Sequence, residues 1–285
     1  MNDLKSFIAK QGLTQASVAR SLGVSSSVVS QYIQGKYTSN KLKTLEKKIS
    51  TYIANYQEQS GDDHLLAIVK TTDLKMINGI CSEIAVNRDM GVIYRKAGTG
   101  KTVAIKDFVK KHPESALVET LPMMTVKELL AKILDKLGQK NAQGSVNTMI
   151  EEAVKLFKKS ERILIIDEAE NLTTKSLEAI RRIHDFNEVP VVLVGTYALV
   201  QNLKGRRGEL LQLYSRVNNK WETRGLSDDD RKGLFGELGK HIKRYTSDIR
   251  RSVNIFKKAK RLSQLADEAM TAQHIAMASR TVILD

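Results

Sequence analysis

The chain has 285 residues, is 41% hydrophobic and 27% charged, and carries a formal net charge of +14 with a pI near 9.7. That length suits two or three domains with packed cores, and the positive balance points towards a polyanionic partner, most simply nucleic acid. One cysteine, Cys81, excludes an intramolecular disulfide framework; no run approaches the ~18–20 apolar residues that span a bilayer, and Met1-Asn2-Asp3-Leu4-Lys5 lacks a signal-peptide core, so a reduced, cytoplasmic compartment with no membrane partner is expected.

Residues 1–56 read as a small helical unit. Gln15 to Leu22 is one amphipathic helix, Gly23-Val24 makes a turn, and Ser25 caps a second helix over 26–34 that ends at Gly35. Ala19 is small enough for close helix crossing, and Val18, Leu22, Val24 and Val29 supply a shared core. The unit resembles the phage-repressor type of helix-turn-helix. The resemblance implies that the second helix enters the major groove with Ser25, Ser26, Ser27, Ser30 and Gln31 facing DNA. Small hydroxyls read few base edges, so strong sequence preference is not expected. Lys36, Lys41, Lys43, Lys47 and Lys48 are placed to meet phosphates; a helical docking module without DNA is the other reading of this unit.

Residues 57–70 are polar and read as a linker. From 71 to 225 the pattern alternates: helix 71–88, strand 90–94, helix 101–112, strand 115–120, helices 125–138 and 146–160, strand 162–166, helix 173–186, strand 190–195, helices 198–204 and 207–214, strand 217–222. Such alternation predicts a five-stranded parallel α/β sheet.

Two segments of this region carry chemistry. Ala97-Gly98-Thr99-Gly100-Lys101-Thr102 follows an apolar strand and opens a helix. Gly98 and Gly100 let successive amides point inward at a phosphate, with Val103 directly behind, and the helix start adds its positive end. Lys101 would reach the β- and γ-phosphates of ATP, and the Thr102 hydroxyl would ligate Mg²⁺. The full phosphate-loop pattern asks for glycine at position 95, where this chain has Arg95; backbone strain or another path is expected there. The second segment, Ile163-Leu164-Ile165-Ile166-Asp167-Glu168, suits a buried parallel strand opening onto a site. Asp167 would hold Mg²⁺, directly or through water, and Glu168 would polarise an attacking water. Together they predict a nucleotide-hydrolysing P-loop protein, an ATPase.

After Gly225-Leu226-Ser227, residues 226–285 form a small domain, with 228–280 expected helical throughout, a lid over the core. A P-loop α/β core with a helical lid resembles the AAA+ class of ATPases. That resemblance implies three further roles. Thr196, closing Val191-Val192-Leu193-Val194-Gly195-Thr196, would sense the γ-phosphate, although asparagine is more usual there. Arg216, in Leu213-Tyr214-Ser215-Arg216-Val217, would reach into a neighbouring subunit's site, with Arg206 and Arg207 as alternatives. Arg250, in Ser247-Asp248-Ile249-Arg250-Arg251, would touch the γ-phosphate from the lid, with Ser247 where the class has glycine.

The whole order of helix-turn-helix, linker, AAA+ core and short basic lid is similar to the B transposition proteins of phage Mu and its prophage relatives. The resemblance covers nearly the entire chain. It implies a phage- or prophage-encoded protein of a bacterial host that binds ATP and assembles on double-stranded DNA as a helical filament of its own copies. It further implies that the filament marks that DNA as a target and activates a transposase, which in turn stimulates hydrolysis. Lys175, Arg181 and Arg182 would line the DNA side or form a solvated helix face. Target selectors of Tn7-like or IS21-like elements, a helicase loader or replication initiator, and an ATP-switched transcription regulator share these motifs.

Overall fold

The computed structural model describes residues 2–53, 56, 69–205 and 211–283. The chain divides into two compact units, Met1–Val69 and Lys70–Asp285.

The first unit contains α1 (Asn2–Lys10), α2 (Gln15–Leu22), α3 (Ser26–Ile33) and a further helix, α4, over residues 42–53. Thr14 caps α2 by accepting the Ser17 N–H, and Gly23 ends it in the left-handed conformation that glycine adopts without strain. Ser25 occupies the start of α3, but its hydroxyl bonds Ser27 rather than the helix backbone. Leu4, Phe7, Val18, Ala19, Leu22, Val29, Tyr32, Leu45 and Ile49 form one buried core. The apolar stripe of each helix therefore points inward, and Ser26, Ser27, Gln31 and Lys36 are left exposed.

The second unit opens with α5 (Thr72–Asn87), followed by β1 (Met90–Tyr94), α6 (Lys101–Lys111) and β2 (Ala116–Glu119). It continues through α7 (Val126–Lys136), α8 (Val146–Ser160), β3 (Leu164–Asp167) and α9 (Thr174–Asn187). Next come β4 (Val191–Gly195), α10 (Tyr197–Lys204), α11 (Leu211–Tyr214) and β5 (Val217–Glu222). The strands form one sheet in the order β2-β3-β4-β1-β5, every pair parallel. Both faces are covered, so the central strands are apolar at nearly every position, with Asp167 at the end of β3 the charged exception. Leu164, Ile166, Val191 and Leu193 pack against α7, α8 and α9; Ile165, Val192 and Val194 pack on the opposite face against α5 and α6.

The lid differs from the continuous helical run expected over 228–280. It is divided into α12 (Asp228–Phe235), α13 (Gly239–Lys243), α14 (Ile249–Leu265) and α15 (Ala272–Ser279). Left-handed backbone at Gly236 and Asp267 breaks the run, and Ser227 and Asp248 each cap a new start through side-chain bonds to backbone N–H groups. Two carboxylates tie the lid's beginning to α5. Asp73 accepts from Trp221 Nε1, Arg224 N and Gly225 N at 3.1, 3.0 and 2.7 Å, and Asp230 accepts from Thr72 N at 3.0 Å.

Candidate nucleotide site

The strand order decides what meets at the C-terminal edge of the sheet. β1 lies between β4 and β5, and β3 lies beside β4, so the loop after β1, the end of β3 and the residue after β4 converge on one edge. Ligands of parallel α/β sheets bind there because crossovers leave a crevice between adjacent strand ends.

The loop is built by two left-handed glycines, Gly98 (φ +79°) and Gly100 (φ +81°), with α6 starting at Lys101. Lys101 is buried, and its ammonium donates to the carbonyls of Arg95 at 2.9 Å and Lys96 at 3.1 Å. Burial pulls its pKa below the ordinary lysine range; Glu170 and then Asp167 oppose that shift, while Arg250 reinforces it. Thr99 is buried and bonded to Thr223 Oγ1 at 3.1 Å, Thr102 is half-buried, and Ala97 and Val103 are exposed.

Arg95 corrects an expectation. Its backbone is not among the left-handed residues, and its N–H donates to Gly195 O at 3.2 Å, prolonging the β1–β4 ladder. Its guanidinium holds Thr223 O at the end of β5. Nothing at this position requires glycine, so the anticipated strain is absent.

Asp167, the last residue of β3, is buried, and its Oδ1 accepts the Glu168 N–H at 2.9 Å. Glu168 is exposed with a left-handed backbone (φ +55°), which turns its side chain out of the strand's alternation. Thr120, fully buried at the end of β2, was not singled out from the sequence. Its hydroxyl donates to Asp167 O at 3.1 Å and Glu168 O at 2.7 Å. Thr196 occupies the N-cap position of α10, and its N–H donates to Glu170 Oε2 at 3.2 Å. Glu170 also went unnoticed: a carboxylate in a charged turn has no signal in one sequence that separates it from a solvated one.

The lid reaches the loop directly. Ile249 N donates to Gly98 O at 3.0 Å, and the Asp248 carboxylate packs on Gly98 so closely that a Cβ there would lie 1.8 Å from Oδ2. Arg250, exposed on the first turn of α14, acts electrostatically on Lys101. Arg216 is elsewhere: its Nε donates to Asp185 Oδ1 at 3.0 Å on α9, and its side chain is half exposed. Arg206 and Arg207 lie outside the described residues.

Lys175 and Arg182 are exposed at the mouth of a groove also lined by Val126, Val146 and the buried Ile150. Arg181 is different. It is bracketed by Glu178 and Asp185 on its own helix, and the bond to Glu178 raises its pKa further. It is therefore not presented as a free cation for DNA. Among the described residues no group of three or more His, Cys, Asp or Glu side chains gathers to hold a metal, and no helix is long and apolar enough to cross a membrane. A Mg²⁺ ion held with a nucleotide needs less: the Thr102 hydroxyl and the buried Asp167 carboxylate are hard oxygen donors that fit it.

A model of the AAA domain matches residues 84–203, and a helix-turn-helix model matches residues 4–47. The ORC2 protein of Aeropyrum pernix, solved in ADPNP-ADP complexes, superposes with a TM-score of 0.57 at 16% identity, covering 75% of this chain and 68% of that one. The fold and the site thus define a AAA-domain protein joined to a helix-turn-helix unit. The chain is 28% identical over 222 residues to the Mu-like prophage FluMu DNA transposition protein B of Haemophilus influenzae, covering 76% of this chain and 77% of that protein. It is 21% identical over 217 residues to the ATP-dependent target DNA activator B of Escherichia phage Mu, covering 75% and 69%. Over about three quarters of its length the chain is thus similar to phage Mu-type transposition B proteins.

Proposed function

We propose that the chain is an ATP-dependent activator of target DNA in transposition. It binds ATP with Mg²⁺, assembles as a helical oligomer on double-stranded DNA with little sequence preference, and delivers that DNA to a transposase in the bacterial host cytoplasm. The observation that carries this reading is the union, in one chain, of this nucleotide site with a helix-turn-helix unit, in a protein similar over about three quarters of its length to named target-DNA activators.

In this reading the loop 97–103 surrounds the phosphates with inward-facing amides, and Lys101 exchanges its loop carbonyls for phosphate oxygens. Thr102 and Asp167 hold Mg²⁺, which neutralises phosphate charge when bound. Glu168 orients the attacking water, Thr196 lies at the γ-phosphate side, and Arg250 contributes positive charge from the lid. Arg216 serves the site of a neighbouring copy, so hydrolysis is slow until copies assemble. An oligomer sums many weak phosphate contacts from Lys36, Lys175, Arg182 and the α3 face (exposed Ser26, Ser27 and Gln31, and half-buried Ser30), so no subunit needs to read bases.

Co-sedimentation with non-specific duplex DNA tests it. A slowly hydrolysed ATP analogue should promote binding, rising salt should weaken it steeply, and Lys101→Ala should abolish the nucleotide effect. DNA binding by Lys101→Ala equal to that of the parent, with and without nucleotide, would refute nucleotide-gated assembly.

A further inference from the structure

Glu168 and Glu170 flank Ala169 in one turn, yet the structure uses them differently. The left-handed backbone at Glu168 starts a short 3-10 turn, Ala169–Asn171, that folds back across the end of β4. Glu168 faces outward, whereas Glu170 turns inward. Its Oε2 accepts the Thr196 N–H at 3.2 Å, and its own carbonyl accepts Asn202 Nδ2 at 3.0 Å. Both ends of this residue therefore hold α10, once at its first peptide and once through Asn202 near its end.

Space has been made for the carboxylate. A Cβ on Gly195 would lie 2.5 Å from Glu170 Oε2, so no side chain fits there while Glu170 keeps its place. The backbone of Gly195 is not left-handed, so its glycine answers a packing demand rather than a conformational one. The Thr196 N–H is one of the groups a helix start leaves without an internal partner, and a carboxylate is favoured there by both the hydrogen bond and the helix dipole. The same carboxylate, with Asp167, acts on the buried Lys101 ammonium.

We propose that Glu170 is a positioning residue for hydrolysis: through the Thr196 N–H it locks the residue after β4 to the turn that carries Glu168. This rests on the ATPase reading above. Thr196 and Glu168 belong to separate strand ends, and β3 and β4 pair only as far as Ile166 and Leu193, so the ladder does not itself fix the spacing of the two residues beyond it. The Glu170 bond supplies that constraint, and a misplacement of about 1 Å at a reacting centre costs on the order of a hundredfold in rate.

The test uses the full chain, saturated with duplex DNA, with ATP turnover measured beside the affinity for a fluorescent ADP analogue. In Glu170→Ala, turnover should fall roughly tenfold or more while ADP affinity stays within about threefold, the signature of an interaction that matters in the transition state. Glu170→Gln keeps an oxygen that accepts the Thr196 N–H and should retain turnover within about threefold. Gly195→Ala pushes the carboxylate away and should behave like Glu170→Ala, with little further loss when the two are combined. Parent-like turnover in Glu170→Ala, or equal damage in Glu170→Gln and Glu170→Ala, would overturn the proposal. Hydrogen exchange of the Thr196 amide in nucleotide-free protein reads the bond without any turnover. Slow exchange in the parent and Glu170→Gln but fast exchange in Glu170→Ala supports the tie, and equal exchange in all three removes it. A parent that does not hydrolyse ATP but shows this exchange pattern would remove the ATPase reading and leave the tie standing.

Discussion

Gly98 O accepts a hydrogen bond from Ile249 N at 3.0 Å, so the first peptide of the lid helix is fastened to the glycine-rich loop after β1. The neighbouring Asp248 caps the same helix through Arg251 N at 2.8 Å and rests its carboxylate on Gly98. Loop and lid thus share one residue, and the absence of a side chain at 98 serves both.

This relationship predicts the outcome of Gly98→Ala. The substituted residue would hold a left-handed backbone at roughly 1–2 kcal/mol, and its methyl would collide with Asp248. Nucleotide affinity, measured with a fluorescent ADP analogue, should be largely lost. Removing the obstruction in Gly98→Ala with Asp248→Ala should recover part of that affinity, although Asp248→Ala alone weakens the helix start by about 1 kcal/mol. Strict additivity of the two losses would mean that the contact does not couple loop to lid.

Thr120 offers a test that leaves volume nearly unchanged. Thr120→Val removes the hydroxyl that bonds the carbonyls of Asp167 and Glu168. Stability should fall by about 1–2 kcal/mol, a drop of about 2–8 °C in a chain of this size. ATP turnover should fall with nucleotide affinity preserved, because the strand end that carries both acids loses its anchor. Thermal unfolding and steady-state turnover measured on one preparation decide the matter.

The two outlying catalytic candidates separate by mixing. Glu168→Gln should still assemble on DNA with ATP but disassemble slowly, as followed by light scattering after dilution. Arg216→Ala should turn over poorly alone, and activity should return on mixing with Lys101→Ala, which has an intact arginine to offer. No recovery on mixing would count against Arg216 acting between copies and direct attention to Arg206 and Arg207.

Cys81 should behave as an inert core group. It is fully buried on α5 between helix and sheet, and burial pushes its thiol from 9.0 to about 12. The folded state holds the proton more tightly than the unfolded one, so this contribution to stability is complete below pH 9.0 and is lost as pH rises towards about 12. A thiol reagent at pH 8 should therefore modify the native protein far more slowly than the urea-unfolded chain. Comparable rates would mean that α5 opens readily from the sheet.

Local pattern carried much of this molecule. Apolar runs bounded by turns located the central strands, because a strand buried on both faces is apolar at nearly every position and short enough to recognise. Glycines flanking a Lys-Thr pair located the loop, because their left-handed backbones are a local requirement. The boundaries of β3 moved: the apolar run from Ile163 ends on Asp167, since the carboxylate is still within the ladder when the strand reaches the sheet's edge. The lid was less readable, because capping and left-handed breaks interrupt a composition that is helix-forming almost throughout.

By itself, then, the sequence determined the helix-turn-helix unit, the alternating α/β core, the loop 97–102 and the acidic pair Asp167-Glu168, each encoded within a few consecutive residues. Only the tertiary structure decided the rest. The order β2-β3-β4-β1-β5 brings Thr120 to Asp167, Thr223 to Arg95, Glu170 to Thr196 and Asp248 to Gly98. It also pairs Arg216 with Asp185. These pairs are long-range or depend on which way a turn folds back, and a hydrogen bond between distant residues leaves no period or spacing in the chain that forms it.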